Sequence, residues 1–181
     1  GIGRSTAALF AENGANVVAV GRNEKELTKL CHEISPDKGA IKVQLADVNE
    51  LTQLERIVSE TVASFGKIDV LVNSAGIIKN GTVEDTTLDD WDRMMHINLR
   101  SIFLLMQKCV PYLTKTKGNV VNVSSVAGTR AFSNLLSYCV SKAATDQLTR
   151  CSALDLASKG IRVNAVNPGV VVTNLHRRSG M

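Results

Sequence analysis

The feature of this sequence that most constrains its fold is a regular alternation of short apolar runs with longer segments of helical period. Apolar and β-branched residues form strand-like runs at 16–20, 41–45, 69–72, 120–123 and 162–166. Apolar residues recur at helical spacing at 5–13, 24–34, 51–65, 88–113 and 137–157. Strands joined through helices form right-handed βαβ units and a parallel sheet. The alternation therefore predicts an α/β fold, with a bend near the middle of the 88–113 helix.

Length and composition favour a single domain. The 181 residues are 44% apolar and show no repeat, linker or low-complexity tract, so we expect one domain over residues 1–181. No apolar run is long enough to span a membrane. The net charge is +4, but the basic residues are scattered and aromatic residues are only 4%, which argues against a nucleic-acid surface.

Cysteines and histidines give no metal-ligand spacing and no disulfide framework. The four cysteines form no CxxC motif, and the three histidines are isolated along the chain: Cys31, Cys109, Cys139, Cys151, His32, His96 and His176. We expect free thiols in a reducing compartment and no metal. Cys139, next to Tyr138, is a candidate for a modifiable thiol.

Tyr138 and Lys142 carry the clearest chemical signal. Their offset of four residues is about one helical turn, so both side chains emerge on one face of the helix. A cation beside a phenol favours the phenolate and lowers the phenol pKa towards neutrality. The hydroxyl of Ser125, which follows a predicted strand, could hold a substrate oxygen while the tyrosine moves a proton. Alone, a tyrosine and a lysine at this spacing are more typical of an ordinary helix surface.

Polar motifs at the strand ends favour the catalytic interpretation of Tyr138 and Lys142 over an ordinary helix surface. They read, in chain order, Asn73-Ser74-Ala75-Gly76, His96-Ile97-Asn98-Leu99, Asn122-Val123-Ser124-Ser125, Tyr138-Cys139-Val140-Ser141-Lys142 and Asn167-Pro168-Gly169. As a set along the whole chain they resemble the short-chain dehydrogenase/reductase family. The resemblance implies a Rossmann-type, doubly wound parallel sheet in three α/β/α layers. It also implies an oxidoreductase that interconverts a ketone or aldehyde and an alcohol, similar to carbonyl reductases and 3-oxoacyl-acyl-carrier-protein reductases.

Catalytic roles follow from the resemblance. Tyr138 is the expected general acid in reduction and general base in oxidation, and Lys142 lowers its pKa and contacts the nicotinamide ribose. Ser125 positions the substrate oxygen, and Asn98 holds a water that connects Lys142 to solvent. The structural alternatives are a turn cap for Ser125 and a polar side chain that satisfies a helix bend for Asn98.

The start of the chain resembles the end of the family's glycine-rich turn. Gly1-Ile2-Gly3 precedes the first predicted helix, where free N–H groups and the helix dipole favour a pyrophosphate. Arg22 follows the next strand at the place where NAD-binding members carry a carboxylate. A guanidinium binds a 2′-phosphate, so we expect NADP(H) to be preferred, with NAD(H) possible. Alternatively, Arg22 is a solvated loop residue.

The resemblance assigns further cofactor contacts at four other places. Asp47 and Val48 are expected to bind the adenine, although Asp47 could instead cap the helix that begins near Leu51. The remaining expected contacts lie near the nicotinamide half and are Asn73, Ala75, Gly76, Tyr138, Lys142, Pro168, Gly169, Val171 and Thr173.

Substrate specificity is expected from the loop after Gly76, from residues 127–136 and from the segment after Thr173. Arg130, Phe132 and Leu135, with Leu136, indicate a fairly apolar pocket for a small carbonyl or alcohol compound, or else core or interface positions. The helices at 88–113 and 137–157 look too apolar for one chain to cover. In the family such helices pair across a two-fold axis, so we expect a homodimer or homotetramer.

The resemblance also implies a truncated chain. The first strand of the family's sheet precedes the glycine turn, so this chain should lack it and leave strands 2-3 and 4-5-6 as separate groups. We expect the 181 residues to be a fragment that, expressed alone, neither folds cooperatively nor binds NADPH. We expect the whole protein in the cytoplasm, with an organelle left open. The alternative function is a catalytically silent NADP(H)-binding sensor of the same fold.

The cofactor preference gives a direct test in the full-length protein. Arg22→Asp should weaken NADPH use and improve NADH use, because a ribose-binding carboxylate replaces the guanidinium. The measurement is kcat/KM with each cofactor for both proteins. Equal kcat/KM values for NADPH and NADH in the unmutated enzyme would contradict the assignment.

Overall fold

The computed structural model describes residues 1–34 and 38–175 and confirms an α/β chain with parallel strands. It contains two compact units, Gly1–Gly66 and a second that starts at Lys67. The prediction of a single domain is not tested by this division and stays a prediction. Within the described part of the chain, no helix has the length and apolarity needed to cross a membrane.

The first unit alternates three helices with two strands. Its elements are α1 Ile2–Glu12, β1 Val17–Gly21, α2 Glu24–Glu33, β2 Ile41–Leu45 and α3 Leu51–Phe65. β1 and β2 pair in parallel, with Val17 opposite Ile41 and Gly21 opposite Leu45. The buried apolar residues of this unit form its core and are Ala11, Ala19, Leu30, Ala46, Leu54, Ile57 and Val58.

Local signals set the boundaries of these elements. The Asn23 side chain accepts a hydrogen bond of 3.2 Å from the Glu26 amide and caps α2. Gly66 ends α3 in the left-handed region, at φ +75°, which glycine adopts without steric penalty. α1 begins at Ile2, three residues before the predicted start at Ser5, because the Ser5 amide already bonds the Gly1 carbonyl.

The second unit contains the remaining elements. They are β3 Val70–Asn73, α4 Leu88–Met95, a π-helical segment His96–Arg100, α5 Ser101–Thr116, β4 Asn119–Val123, a 3-10 segment Val126–Gly128, α6 Leu136–Leu156, a 3-10 segment Ala157–Lys159 and β5 Arg162–Val166. Near its middle the predicted long helix contains the π-helical segment, which carries Asn98; the bend predicted there stays a prediction. The β3-β4-β5 order and the separate β1-β2 pair match the predicted grouping of strands.

Parallel register places the functional motifs at one edge of the second sheet. Asn73 lies opposite Asn122, and Val123 lies opposite Val166. The segments that follow β3, β4 and β5 therefore leave the sheet on the same side, as expected for ligand sites in parallel sheets. α6 packs against β5 and against the Val126–Gly128 segment, and it brings its first two turns to the same edge.

The turn before β4 provides a test of this packing. A Cβ atom on Gly118 would lie 2.6 Å from the Asp69 carbonyl oxygen and 2.6 Å from Leu113 Cδ2. Gly118→Ala should therefore destabilise the protein by about 1–3 kcal/mol. Gly169→Ala, which meets no heavy atom within 4 Å, is the control and should stay within about 0.5 kcal/mol. Urea unfolding of both variants measures the difference, and equal free energies would refute the packing.

Candidate active site

Tyr138 and Lys142 lie one turn apart on α6, as predicted. Both are buried, at 8% and 5% exposure, and Lys142 Nζ lies 5.7 Å from the centroid of the Tyr138 ring. A buried lysine needs hydrogen-bond acceptors, because an ammonium removed from water is costly to leave unpaired. Lys142 Nζ donates to the Val123 carbonyl over 2.8 Å, at the carboxyl end of β4. The end of the strand thus fixes the position of the cation.

Burial has opposite effects on the pKa values of these two side chains. Desolvation lowers the pKa of Lys142 to about 8, although the Asp146 carboxylate works against this. Desolvation also raises the pKa of Tyr138, against a hydrogen bond with the Ser125 side chain that lowers it. The predicted lowering of the Tyr138 pKa is therefore wrong in this structure, because burial of the phenol outweighs the hydrogen bond. The phenol stays protonated at neutral pH.

Ser125 lies two residues after the end of β4. Its Oγ accepts a hydrogen bond of 3.1 Å from the Ala127 amide and caps the Val126–Gly128 segment. The same side chain lies close enough to Tyr138 to lower the pKa of its phenol. The structure therefore shows Ser125 as a turn cap, and its role beside the phenol stays a prediction.

Asn98 is fully buried in the π-helical segment and connects three parts of the second unit. Its Oδ1 accepts from the Ile77 amide at 2.9 Å, and its Nδ2 donates to the Ile77 carbonyl at 2.9 Å and to Ser141 Oγ at 3.0 Å. The helix irregularity and the loop after β3 are thus fixed by one amide. This agrees with the structural alternative for Asn98, and the water relay stays a prediction.

Gly76 lies beside both Asn98 and Lys142. A Cβ atom at this position would lie 3.4 Å from Asn98 Oδ1 and 3.8 Å from Lys142 Nζ. A side chain here would therefore fill the space in front of the lysine. The small residue keeps that space open, as a site where a ribose approaches the backbone requires.

The other cofactor residues predicted in the second unit differ in accessibility. Asn73 is buried and donates from Nδ2 to Asn122 Oδ1 over 2.9 Å, so this amide hydrogen is used inside the protein. The Pro168 carbonyl accepts from the Val126 amide at 3.0 Å. Thr173 Oγ1 accepts from the Leu175 amide at 3.2 Å. Ala75, Gly169 and Val171 are exposed.

In the first unit, the structure brings two predicted cofactor residues together. Arg22 Nη1 lies 3.6 Å from Asp47 Oδ2. Asp47 Oδ1 accepts from the Asn49 amide at 2.9 Å, whereas α3 begins after Glu50, so the predicted alternative of Asp47 as the cap of that helix is wrong. Gly1 precedes α1, Ile2 and Gly3 form its first turn, and Val48 is half-buried.

An apolar cluster surrounds the phenol. Ile78, Met94 and Ala127 are buried with Tyr138, and Ile77, Leu135, Cys139 and Leu175 pack against them. Of the residues predicted to form the substrate pocket, Leu135 belongs to this cluster and Leu136 is half-buried, whereas Arg130 and Phe132 are exposed. Sequence reasoning missed Ile78 and Met94, for which the apolar loop after Gly76 and the helical period were the available signals.

Of the candidate thiols, Cys139 packs against this apolar cluster and is half-buried. Among residues 1–34 and 38–175 no group of three histidine, cysteine or acidic side chains could hold a metal ion. His32 and His96 are exposed, and His176 lies outside the described residues. All four cysteines are free, as predicted, and burial raises the pKa of Cys109 to about 12, so that thiol is inert at neutral pH.

Comparisons with known proteins match the whole chain. A family model described as "short chain dehydrogenase" matches residues 1–180. A 3-oxoacyl-acyl-carrier-protein reductase of Thermotoga maritima is 37% identical over 174 residues, 96% of this chain and 71% of that protein. A 3beta-hydroxysteroid dehydrogenase of Mediterraneibacter gnavus is 39% identical over 180 residues, 99% of this chain and 65% of that protein. The chain thus spans about two thirds of these relatives.

Solved structures also match almost the whole chain. A short-chain dehydrogenase/reductase of unknown function from Caenorhabditis elegans, crystallised with cofactor, superposes with a TM-score of 0.93 at 39% identity, covering 100% of this chain and 70% of that one. A levodione reductase superposes with a TM-score of 0.93 at 35% identity, covering 99% of this chain and 71% of that one.

The burial of Lys142 predicts a pH-dependent stability difference. Its pKa is lower in the folded protein than in the unfolded chain, so between about pH 8 and 10.5 the unfolded state holds a proton that the folded state has lost. The free energy of unfolding should therefore rise with pH in this window, by up to about 3 kcal/mol relative to Lys142→Met.

Urea unfolding at several pH values measures this difference. Lys159→Met, at an exposed lysine, is the matched control and should remain parallel to the unmutated protein. A Lys142→Met curve that also runs parallel to the unmutated protein from pH 7 to pH 10 would contradict a lowered Lys142 pKa.

Proposed function

This chain belongs to the short-chain dehydrogenase/reductase family of NAD(P)-dependent oxidoreductases, and we propose that it is an NADP(H)-dependent carbonyl reductase or alcohol dehydrogenase. The observation that supports this most is a buried tyrosine that lies one helical turn from the buried Lys142, with the Ser125 side chain acting on its pKa. A phenol, a hydroxyl and a cation in this arrangement can hold a carbonyl oxygen and exchange a proton with it.

The proposed proton transfer uses only residues of the second unit. In reduction, Tyr138 donates its proton to the carbonyl oxygen, which Ser125 holds by a hydrogen bond. A nicotinamide cofactor, when bound, would supply the hydride to the carbonyl carbon, which would give the alcohol and the oxidised cofactor. In oxidation the phenolate accepts the alcohol proton. Lys142, protonated below about pH 8, stabilises the negative charge that develops on the phenol oxygen.

The residues present fit a dinucleotide of the phosphorylated type. The Arg22 side chain is 58% exposed and contacts Asp47 through one Nη atom at 3.6 Å, so other guanidinium donors are available to a 2′-phosphate. Gly76 keeps the space in front of Lys142 open for a ribose. NAD(H) use remains the alternative, and the Arg22→Asp comparison distinguishes the two.

The apolar cluster around Tyr138 supports a substrate with an apolar part. Ile78, Met94 and Leu135 lie in this cluster, and none of the residues that form it or pack against it has a charged side chain. We propose small ketones or secondary alcohols with apolar substituents, and a panel of such compounds with NADPH and NADP⁺ tests the activity of the full-length protein. Binding of NADPH without turnover of any compound would favour the silent sensor.

Exposed apolar side chains on the helices of the second unit support a homo-oligomer. Leu88, Phe103, Val140 and Leu154 are exposed on α4, α5 and α6. Large apolar side chains on neighbouring helices are typical of subunit interfaces. We propose a homodimer or homotetramer through these helices. Light scattering at micromolar concentration should give at least a dimer mass, and a monomer would refute the proposal.

Removal of one oxygen atom tests the role of the tyrosine. Tyr138→Phe should abolish turnover and leave NADPH binding nearly intact, because the ring is kept and the proton is lost. Tyr112→Phe, at the other tyrosine of the chain, is the matched control and should retain activity. Steady-state kinetics and NADPH fluorescence titration measure the two properties. A Tyr138→Phe enzyme with more than about a tenth of the original kcat would contradict the assignment.

A further inference from the structure

A second buried charge, Asp146, lies one turn beyond Lys142 on α6 and has no part in the mechanism above. Its side chain is 6% exposed. A carboxylate buried to this degree is destabilising unless it is hydrogen-bonded or paired. The contacts of Asp146 therefore indicate its role. Its hydrogen-bond partner is a single amide, and Lys142 lies one turn earlier on the same helix.

The amide belongs to Asn167, in the segment that follows β5. Asn167 Nδ2 lies 3.0 Å from both oxygens of Asp146 and 3.0 Å from the Ser125 carbonyl oxygen. An amide nitrogen has two hydrogens, so one is directed to the Ser125 carbonyl and the other is shared by the carboxylate. Asp146 therefore orients Asn167, and Asn167 holds the backbone of Ser125.

A close backbone approach supports this arrangement. A Cβ atom on Gly128 would lie 2.3 Å from Asp146 Oδ2, so the Val126–Gly128 segment lies directly against the carboxylate. Ser125 precedes this segment, and its carbonyl also accepts from the Gly128 amide at 2.9 Å. The position of the Ser125 hydroxyl beside Tyr138 thus depends on contacts that converge on Asp146.

The charge of Asp146 also acts on Lys142. It is the one charged group that raises the pKa of Lys142 against the effect of burial. The ionisable side chains of this part of α6 are Tyr138, the half-buried Cys139, Lys142, Asp146 and the exposed Arg150. β4 and residues 124–129 carry none, and in the π-helical segment and β5 the ionisable residues are the exposed His96, Arg100 and Arg162.

We propose that Asp146 is a positioning residue of this active site, which holds the Ser125 backbone through Asn167 and provides the counter-charge for Lys142. The inference rests on the proposed function for its kinetic consequences. Its electrostatic part concerns Lys142 alone and can be measured without turnover.

Two variants in the full-length protein separate the two roles. Asp146→Asn keeps the size of the side chain and removes the charge, whereas Asn167→Ala keeps the charge and removes the connection to Ser125. Asp155→Asn, at an exposed carboxylate on the same helix, is the matched control. Kinetics with NADPH and a ketone from the panel above, over pH 6 to 10, give kcat, KM and the pH profile. Lysine ¹³Cε NMR gives the titration of Lys142, which the Lys142→Met spectrum assigns.

Both active-site variants should lose kcat by at least about tenfold at pH 7 with little change in KM for the ketone, because a displaced hydroxyl affects the reacting geometry. Asp146→Asn alone should also move the alkaline limb of the pH profile and the Lys142 titration to lower pH. Asp155→Asn should change neither. A purely structural aspartate would affect thermal stability and leave the titration unchanged.

The outcomes distinguish this inference from the proposed function. An unmutated protein that turns over no ketone refutes the proposed function, and the NMR titration still decides the inference. An unchanged Lys142 titration in folded Asp146→Asn overturns the electrostatic role. If Asp146→Asn does not fold, Asn167→Ala decides, because unchanged kcat in that variant overturns the positioning role.

Discussion

Burial of the Lys142 ammonium group is the constraint on which the second unit depends. The cation is removed from water, so its hydrogens must meet acceptors of the protein, and the Val123 carbonyl at the end of β4 supplies one at 2.8 Å. That bond fixes the start of α6 against the sheet. Tyr138, one turn earlier, is placed by the same helix. The proton donor of the proposed reaction is thus positioned by the packing of its neighbour.

A chain of buried polar contacts extends this constraint through the second unit. Asn122 Nδ2 donates to Thr149 Oγ1 at 3.0 Å, and Thr145 Oγ1 donates to the Asn98 carbonyl at 3.2 Å. Ser141 accepts from Asn98 and donates to the Tyr138 carbonyl at 2.7 Å. Each member of such a network is costly to leave unpaired, so the sheet, the π-helical segment and α6 adopt one arrangement. A unique position for the phenol follows.

Most of the fold could be predicted from local patterns, and the site only in part. The limits of β2 and β5 and the end of α3 at Gly66 follow from apolar runs and turn chemistry, which act over a few residues. The role of Asp146 could not be predicted, because its partner Asn167 is 21 residues away and meets it only through the fold. The prediction that Asp47 caps α3 was wrong, because its carboxylate accepts a hydrogen bond from the Asn49 amide instead. The predicted lowering of the Tyr138 pKa was wrong, because the four-residue offset between Tyr138 and Lys142 does not show how deeply the phenol is buried.

That last difference sets the protonation states from which the proposed reaction starts. In water the pKa values of tyrosine and lysine are similar, near 10. In this structure burial raises the pKa of Tyr138 and lowers that of Lys142 to about 8. As pH rises, the lysine therefore loses its charge before the phenol ionises. Lys142 is then neutral at the pH where the phenolate forms and cannot stabilise it. At neutral pH these two shifts leave a protonated phenol beside a charged lysine, which is the state from which the proposed reduction starts.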